Sequence, residues 1–176
     1  PAHLHAHRAD DIFTALRICR EFGIRPVIVH GTEGHLIADD LAQLGVPVLS
    51  GPFLTDRSKP ELRALTERAP GLLCRAGVQV AITTDHPETP LKYLRRCAAV
   101  AAEQGMDEAE ALRAITRYPA EILGIADRVG ALEPGMDADF VLFSAHPFAF
   151  RSDTVLTVCG GEIVYEARAV CPAGTN

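Results

Sequence analysis

The chain has 176 residues, of which 48% are hydrophobic and 23% are charged, and this composition is typical of a globular protein. Its formal net charge of -6, with no cluster of lysine and arginine to neutralise phosphates, excludes a nucleic-acid binder. The longest apolar runs, such as residues 78–82, are far too short to span a membrane, so we expect no membrane partner either.

The cysteine pattern argues against a disulfide framework. The count is odd and no two cysteines form a CxxC pair, which favours a reducing cytoplasm as the location of the protein. We interpret the cysteines as small buried apolar side chains. They are Cys19, Cys74, Cys97, Cys159 and Cys171.

Three segments repeat one order of residues: a glycine, a short run rich in valine and isoleucine, and a polar or glycine-rich end. They are residues 23–30, 45–51 and 77–85. The glycine suits the left-handed position that ends a helix. The continuous apolar run predicts a strand that is buried on both faces. Residues 1–6 would add one more strand before these three.

Helical periodicity predicts helices between the strands, at residues 10–21, 33–44 and 60–76. Asp10 is expected to be the N-cap of the first helix, and Pro70 would interrupt the third. Alternating strands and helices imply a parallel sheet with right-handed crossovers. One face of the second helix would be formed by Leu36, Ile37, Leu41 and Leu44.

Four strand–helix units with polar strand ends resemble half of a (β/α)₈ TIM barrel, since a full barrel needs roughly 250 residues. Further helices are expected at residues 91–104, 107–116 and 119–123. Asp107 would cap the second of these together with Glu110. A doubly wound open sheet is the competing architecture, because the number of strands does not distinguish the two.

The remainder of the chain has the pattern of a small antiparallel β module. Short strands are predicted at residues 129–132, 138–144, 155–159 and 162–165, and Gly160-Gly161 would form the hairpin turn between the last two. The tail at residues 167–176 would be frayed.

The predicted domains are therefore a partial hydrolase barrel with its C-terminal helices at residues 1–124 and the β module at residues 125–176.

Polar side chains end three of the predicted strands: His5, His30 and Asp85. Active sites of this architecture lie at the carboxyl ends of the strands. Imidazole and carboxylate groups suit zinc or a similar divalent ion, which lowers the pKa of a bound water. A carboxylate beside that water could take its proton and pass it to a leaving group. His7 is a weaker candidate, as are Arg8 and Thr32, which could contact a substrate.

Other chemistries leave no motif in the sequence. No GxGxxG follows a strand, and neither a P-loop nor a GxSxG elbow occurs. The chain instead resembles the C-terminal portion of the amidohydrolase superfamily, nearest to its imidazolonepropionase-related and prolidase-like branch. The segments that carry the resemblance are residues 5–12, 29–33, 84–87, 111–116, 119–124 and 130–141.

The resemblance implies barrel strands 5–8 and part of a composite β-sandwich. His5 and His30 would be the metal ligands of strands five and six, and Asp85 the ligand of strand eight and the general base. The family's HxH pair and its fourth-strand ligand have no counterpart here. Because His5 also lies so close to Pro1, we expect missing protein upstream and a chain that is inactive alone.

The implied activity is metal-dependent hydrolysis of a C–N bond in a dipeptide-like or cyclic amide substrate, with one or two divalent ions, zinc by preference, in the complete enzyme. We also expect a homo-oligomer. One alternative is a non-catalytic half-barrel that self-associates through its open sheet edge. Another is a different hydrolase built on an open α/β sheet.

Overall fold

The computed structural model describes residues 1–167, which form two separate sheets. The first sheet is parallel, and its four strands lie side by side in chain order. These strands are β1 (Ala2–Ala6), β2 (Pro26–His30), β3 (Val48–Ser50) and β4 (Val80–Ile82). The α-helices are α1 (Ala9–Glu21), α2 (Ala38–Gln43), α3 (Ala69–Arg75), α4 (Leu94–Glu103), α5 (Glu108–Arg113) and α6 (Arg117–Leu123). Short 3₁₀ helices span Gly34–Ile37, Pro60–Leu62 and Leu91–Tyr93.

The main core lies between one face of this sheet and helices α1 to α5. Ile12, Leu41 and Leu73 have no exposed surface within it, and each contributes about 1.5–3 kcal/mol by leaving water. The opposite face of the sheet is covered in part by α6, whose Ile122 packs on Val27 and Ala81. The parallel α/β arrangement inferred from the sequence is therefore confirmed.

Glycines end the connections before three strands, as the sequence predicts. Gly23, Gly45 and Gly77 take φ values of 63°, 63° and 92°, a region that costs glycine little. The helices between the strands differ more from expectation. Asp10 lies inside the first turn of α1 and is not its N-cap, a position that Arg8 occupies without a side-chain hydrogen bond. The expectation of an Asp10 cap was wrong because the Glu33 side chain, from the loop after β2, accepts from the backbone N–H of Ala9 at this helix end.

The predicted second helix is a 3₁₀ turn followed by α2. Because a 3₁₀ helix has 3.0 residues per turn, the apolar side chains do not share one face, and Leu36 and Leu44 are exposed. The third predicted helix is also divided, since only residues 60–62 and α3 are helical. Pro70 lies in the first turn of α3, where a missing N–H is tolerated, so it begins this helix and does not interrupt it.

The second sheet is an antiparallel meander of β5 (Phe140–Phe143), β6 (Thr154–Cys159) and β7 (Glu162–Glu166). The expected turn at Gly160-Gly161 joins β6 to β7. Residues 129–132 form no strand, contrary to prediction. Gly130 takes φ 97° and lies so close to Ala120 that an added Cβ would overlap its methyl group, so this segment turns tightly past α6. Of the predicted frayed tail, residues 168–176 lie outside the described part of the chain.

Two arginines of α4 tie the connection between β5 and β6 to the parallel-sheet unit. Arg95 Nη2 donates to the Ser152 carbonyl at 2.9 Å, and Arg96 Nη2 donates to the Phe150 carbonyl at 2.8 Å. The Arg95 guanidinium also lies over the Phe143 ring, 5.0 Å from its centroid. These contacts fasten the two sheets to each other.

The cysteines of the described residues are all free. Cys19 and Cys97 are buried as expected, whereas Cys74 is half-buried and Cys159 is exposed. Cys171 lies outside the described residues. Within residues 1–167, no helix has both the length and the apolar character that crossing a membrane requires.

A charged hydrogen-bond cluster joins three helices around Glu110. Tyr118 of α6 donates to Glu110 Oε2 at 2.6 Å, and Cys74 of α3 donates to the same oxygen at 3.6 Å. The hydrogen bond from Tyr118, followed by that from Arg113, holds the pKa of Glu110 below its ordinary value. The same bond raises the pKa of Tyr118 to about 12. Ionised Glu110 therefore stabilises the fold above its unfolded pKa, and this contribution is lost as the pH falls.

We expect Tyr118→Phe to lower the free energy of unfolding by about 1.5 kcal/mol at pH 7, because a hydrogen bond to a charged group is lost. The loss should shrink as the pH falls through the lowered folded-state pKa of Glu110, where Glu110 becomes protonated in the folded state too. Urea denaturation at pH 7 and at a series of lower pH values measures this difference. Tyr93→Phe is the matched control, since Tyr93 is exposed. Equal effects of the two substitutions would contradict the role assigned to the Tyr118 hydroxyl.

The turn after β3 depends on a glycine that packs on the neighbouring strand end. Gly51 takes φ 127°, and an added Cβ would overlap the Thr83 carbonyl oxygen. We expect Gly51→Ala to cost about 3 kcal/mol or more from backbone strain and overpacking together. Gly135 has φ 95° with open space around it, so Gly135→Ala should show the strain alone, about 1 kcal/mol. Thermal unfolding of both variants tests the difference, and similar losses would remove the steric argument.

Candidate active site

The carboxyl ends of the parallel strands bring two of the predicted ligands together. His5 Nδ1 lies 3.1 Å from His30 Nε2, and the ring centroids are 5.0 Å apart. His5 is the fourth residue of β1 and His30 is the last residue of β2. Two nitrogen ligands of a tetrahedral zinc ion, each at 2.0–2.1 Å, lie about 3.3 Å apart. The spacing of this imidazole pair therefore fits a shared divalent ion.

The backbone of His30 determines which face of the sheet carries its imidazole. His30 pairs in register with Ala6, and by alternation it would share the core face with Ile28. It takes φ 73° instead, a left-handed conformation that is uncommon for any residue with a Cβ. This conformation turns the imidazole to the face where His5 lies. Backbone strain of this kind, worth about 1–3 kcal/mol, is concentrated at functional sites.

Asp85 is the only other non-glycine residue with positive φ among residues 1–167, at 49°. It follows β4, as His30 ends β2, so both strained positions lie at the same end of the sheet. The backbone N–H of Asp85 donates to Thr83 Oγ1 at 3.2 Å, and the Asp85 carbonyl accepts from Glu88 N at 2.9 Å. The Asp85 side chain is exposed and lines the same cavity as His7 and His30.

The tautomer of His30 follows from its second ring nitrogen. Nδ1 lies 2.8 Å from the Gly51 carbonyl oxygen, which can only accept a hydrogen bond. Nδ1 therefore carries the proton, and Nε2 keeps a lone pair directed at His5. An imidazole whose other nitrogen donates to a carbonyl is oriented as metal-binding histidines usually are.

His7 is placed beside the imidazole pair and Thr32. Its ring stacks on that of His30, with centroids 4.6 Å apart, and its Nδ1 lies 2.8 Å from Thr32 Oγ1. Burial, and then the electrostatic influence of the neighbouring His30 and Lys59, lower the pKa of His7 to about 4. His7 is thus uncharged at neutral pH and available as a hydrogen-bonding imidazole. Thr32 contacts His7 and does not itself line the cavity.

The cavity at this end of the sheet has a volume of about 160 Å³. The sequence interpretation found only part of its lining, because it did not assign a function to the loop after β3. The polar end of the third predicted strand at Ser50, followed by Gly51 and Pro52, was the available signal for that loop. The residues that line the cavity are His7, His30, Pro52, Thr55, Ser58, Lys59, Leu62, Asp85 and Glu88.

Arg8 does not line the cavity. Its guanidinium forms two hydrogen bonds of 2.9 Å to the carboxylate of Asp10, and both side chains are largely exposed. Glu33, by contrast, is buried, and its Oε2 accepts from the backbone N–H of Ala9 at 3.0 Å. This carboxylate occupies the end of α1 that Asp10 was expected to cap.

The three predicted ligands do not all converge. Across residues 1–167, no group of three His, Cys, Asp or Glu side chains is arranged to hold a metal ion. His5 and His30 fit two ligand positions, and Asp85 lies elsewhere on the cavity wall. The assignment of Asp85 as a third ligand remains a prediction.

Solved structures of similar fold support this description of the chain. An amidohydrolase from Thermotoga maritima MSB8 superposes with a TM-score of 0.92 and 46% sequence identity, covering 95% of this chain and 44% of that one. A Xaa-Pro dipeptidase with bound methionine in its active site is 23% identical and has a TM-score of 0.73, covering 94% of this chain and 44% of that one. The second similarity concerns the fold alone.

Sequence comparison gives the same family. The imidazolonepropionase of Polaromonas sp. strain JS666 is 31% identical over 157 residues, which cover 85% of this chain and 35% of that protein. The chain thus spans less than half the length of the relatives that it matches. The sequence profile of the amidohydrolase family matches residues 2–164. This match extends over nearly all of the described residues, and the chain therefore belongs to the amidohydrolase family.

Proposed function

We propose that this chain is part of a metal-dependent hydrolase that cleaves a C–N bond in a dipeptide-like or cyclic amide. The observation that carries the proposal is that the two residues with strained backbone are also two of the predicted site residues. His30 and Asp85 alone among the described non-glycine residues adopt positive φ, and both line the cavity, His30 as a member of the imidazole pair. The amidohydrolase family and the names of the relatives reported above support a hydrolytic reaction.

His5 and His30 would hold a divalent ion, for which zinc is the first candidate because imidazole nitrogens suit it. When bound, such an ion supplies a polarised carbonyl and a water of lowered pKa. The proton on His30 Nδ1, fixed by Gly51, leaves Nε2 free for this role. The ion would thus lie at the edge of the cavity.

Asp85 would accept the proton of the attacking water and return it to the departing nitrogen. Its exposed carboxylate on the cavity wall is accessible to both partners of that transfer. His7 would donate or accept a hydrogen bond at the substrate as a neutral imidazole, since its pKa is lowered to about 4. Thr32 would orient His7 through the contact of 2.8 Å.

The described residues would form only part of the active site. Two imidazoles leave the other coordination positions of a zinc ion open, and the relatives are more than twice as long as this chain. We therefore infer that the chain by itself holds zinc less tightly than a site with a complete set of ligands would, and that it turns over little substrate. This proposal also includes the substrate class named above, a divalent metal and a homo-oligomeric assembly.

Zinc loading followed by desalting and elemental analysis tests the proposed metal site. About one zinc ion per chain is expected for the natural sequence, and His30→Ala should lose it because one nitrogen of the pair is removed. His3→Ala is the matched control, since His3 lies on the same strand and is exposed. No retained zinc, or equal loss in the control, would contradict the assignment of His5 and His30.

A second candidate function is a self-associating module without catalysis. Within the described residues β1 has β2 as its only partner, so one edge of the parallel sheet is open. Phe22, at the end of α1, is 69% exposed and adds an apolar surface. A symmetric dimer would cover such surfaces.

Light scattering with and without a chelator distinguishes these candidates. A self-associating module should be dimeric in both conditions, because its interface uses no metal. A hydrolase fragment should show zinc retention that depends on His30, whatever its mass. A monomer with chelator present would exclude the module, and a dimer that binds no zinc would favour it.

A further inference from the structure

Four contacts hold the end of β1 against the end of β2. Gly31 N donates to the Ala6 carbonyl at 3.0 Å, and Glu33 N donates to the His7 carbonyl at 2.8 Å. Glu33 Oε2 accepts from Ala9 N at 3.0 Å, and Thr32 Oγ1 lies 2.8 Å from His7 Nδ1. These contacts begin one residue after each member of the imidazole pair. The separation of the two imidazoles therefore depends on how these strand ends meet.

Glu33 makes the one contact of this set that reaches the helix after β1. The first turn of α1 leaves backbone N–H groups without partners, and the N-cap residue Arg8 has no acceptor in its side chain. A carboxylate from the next strand-end loop takes that place. Its negative charge is also favoured by the positive end of the helix dipole.

The burial of Glu33 shows that this contact is specific. Only 8% of the residue is exposed, and a buried carboxylate is costly unless hydrogen bonds or opposite charges compensate it. The helix end supplies one compensation, and Arg63 Nε at 3.8 Å from Oε1 supplies a weaker one, since the Arg63 side chain is 74% exposed. A serine or aspartate at position 8 would cap α1 locally without linking it to β2.

We propose that Glu33 is a positioning residue that fixes the spacing between the His5 and His30 imidazoles by docking α1 onto the loop after β2. It touches neither the cavity nor the imidazole pair. Its effect on the site passes through Ala9 and the β1 end, which carries His5 and His7. This inference rests on the proposed metal site for its consequence in binding, but the spacing itself exists without metal.

The test compares Glu33→Ala and Glu33→Gln with Asp11→Asn in the full chain. Asp11→Asn removes a negative charge from the same end of α1 without touching the loop after β2. Zinc affinity is measured by competition with a chromophoric chelator. Glu33→Ala should bind zinc about 10-fold or more weakly, as is typical when a residue that orients a ligand is removed. Glu33→Gln keeps a hydrogen-bond acceptor and should lose less zinc affinity than Glu33→Ala. Asp11→Asn should change zinc affinity less than about twofold.

The spacing of the two imidazoles in metal-free protein is a second readout, and it tests the positioning role separately from the metal site. Nuclear Overhauser contacts between the His5 and His30 ring protons report the spacing directly in chelator-treated protein. They should be present in the natural chain and Asp11→Asn, and weakened in Glu33→Ala. If the natural chain binds no zinc but these contacts depend on Glu33, the metal site fails and the positioning role stands. Unchanged contacts and unchanged zinc affinity in both Glu33 variants would overturn the positioning role, and the metal site would stand.

Should Glu33→Ala fail to fold, Glu33→Gln decides the question. A folded Glu33→Gln with weaker ring contacts supports positioning by the charge. The same variant with unaltered contacts and affinity, beside a less stable fold, would reduce Glu33 to a helix cap and contradict the proposal.

Discussion

The left-handed backbone at His30 is the constraint on which the rest of the site depends. A strand that continued with regular geometry would point this imidazole into the helix-covered core beside Ile28. Positive φ instead directs the imidazole to the opposite face of the sheet, where its Nε2 lies 3.1 Å from His5 Nδ1. The core therefore stays apolar and the polar groups collect at one end of the other face. The strain, about 1–3 kcal/mol, is offset by the hydrogen bond of His30 Nδ1 to the Gly51 carbonyl.

The two faces of the parallel sheet differ in what they carry. The helix-covered face holds the main core and supplies most of the apolar burial. On the opposite face, Ile122 of α6 packs on Val27 and Ala81. The strand ends on that face remain accessible and carry the imidazole pair and the cavity. The main core and the imidazole pair thus lie on opposite faces of the sheet, and the pair lies at the carboxyl ends of the strands.

The sequence predicted the features that depend on local chemistry. Glycines before strands, apolar runs and polar strand ends are visible one segment at a time, and they placed His5, His30 and Asp85 at one end of a parallel sheet. Features that depend on contacts between segments were missed. The cap of α1 is an example, because Asp10 has the right chemistry and position nearby, yet Glu33 from another loop reaches the helix end. No local sequence pattern reveals that Glu33 takes the capping position expected for Asp10.

The loop after β3 is a second feature that the sequence did not predict, because its position also depends on contacts between segments. Residues 51–59 have no periodicity and no motif, so nothing in the sequence alone assigned Lys59 or Thr55 to the cavity. Their placement follows from two tertiary contacts: Thr55 Oγ1 donates to Glu88 at 2.6 Å, and Thr89 Oγ1 donates to the Leu54 carbonyl at 3.2 Å. These bonds hold the loop against the turn that carries Asp85. Since the cavity wall is built by this pairing of two loops, its shape is a property of the folded chain, whereas the imidazole pair follows from strand-end chemistry.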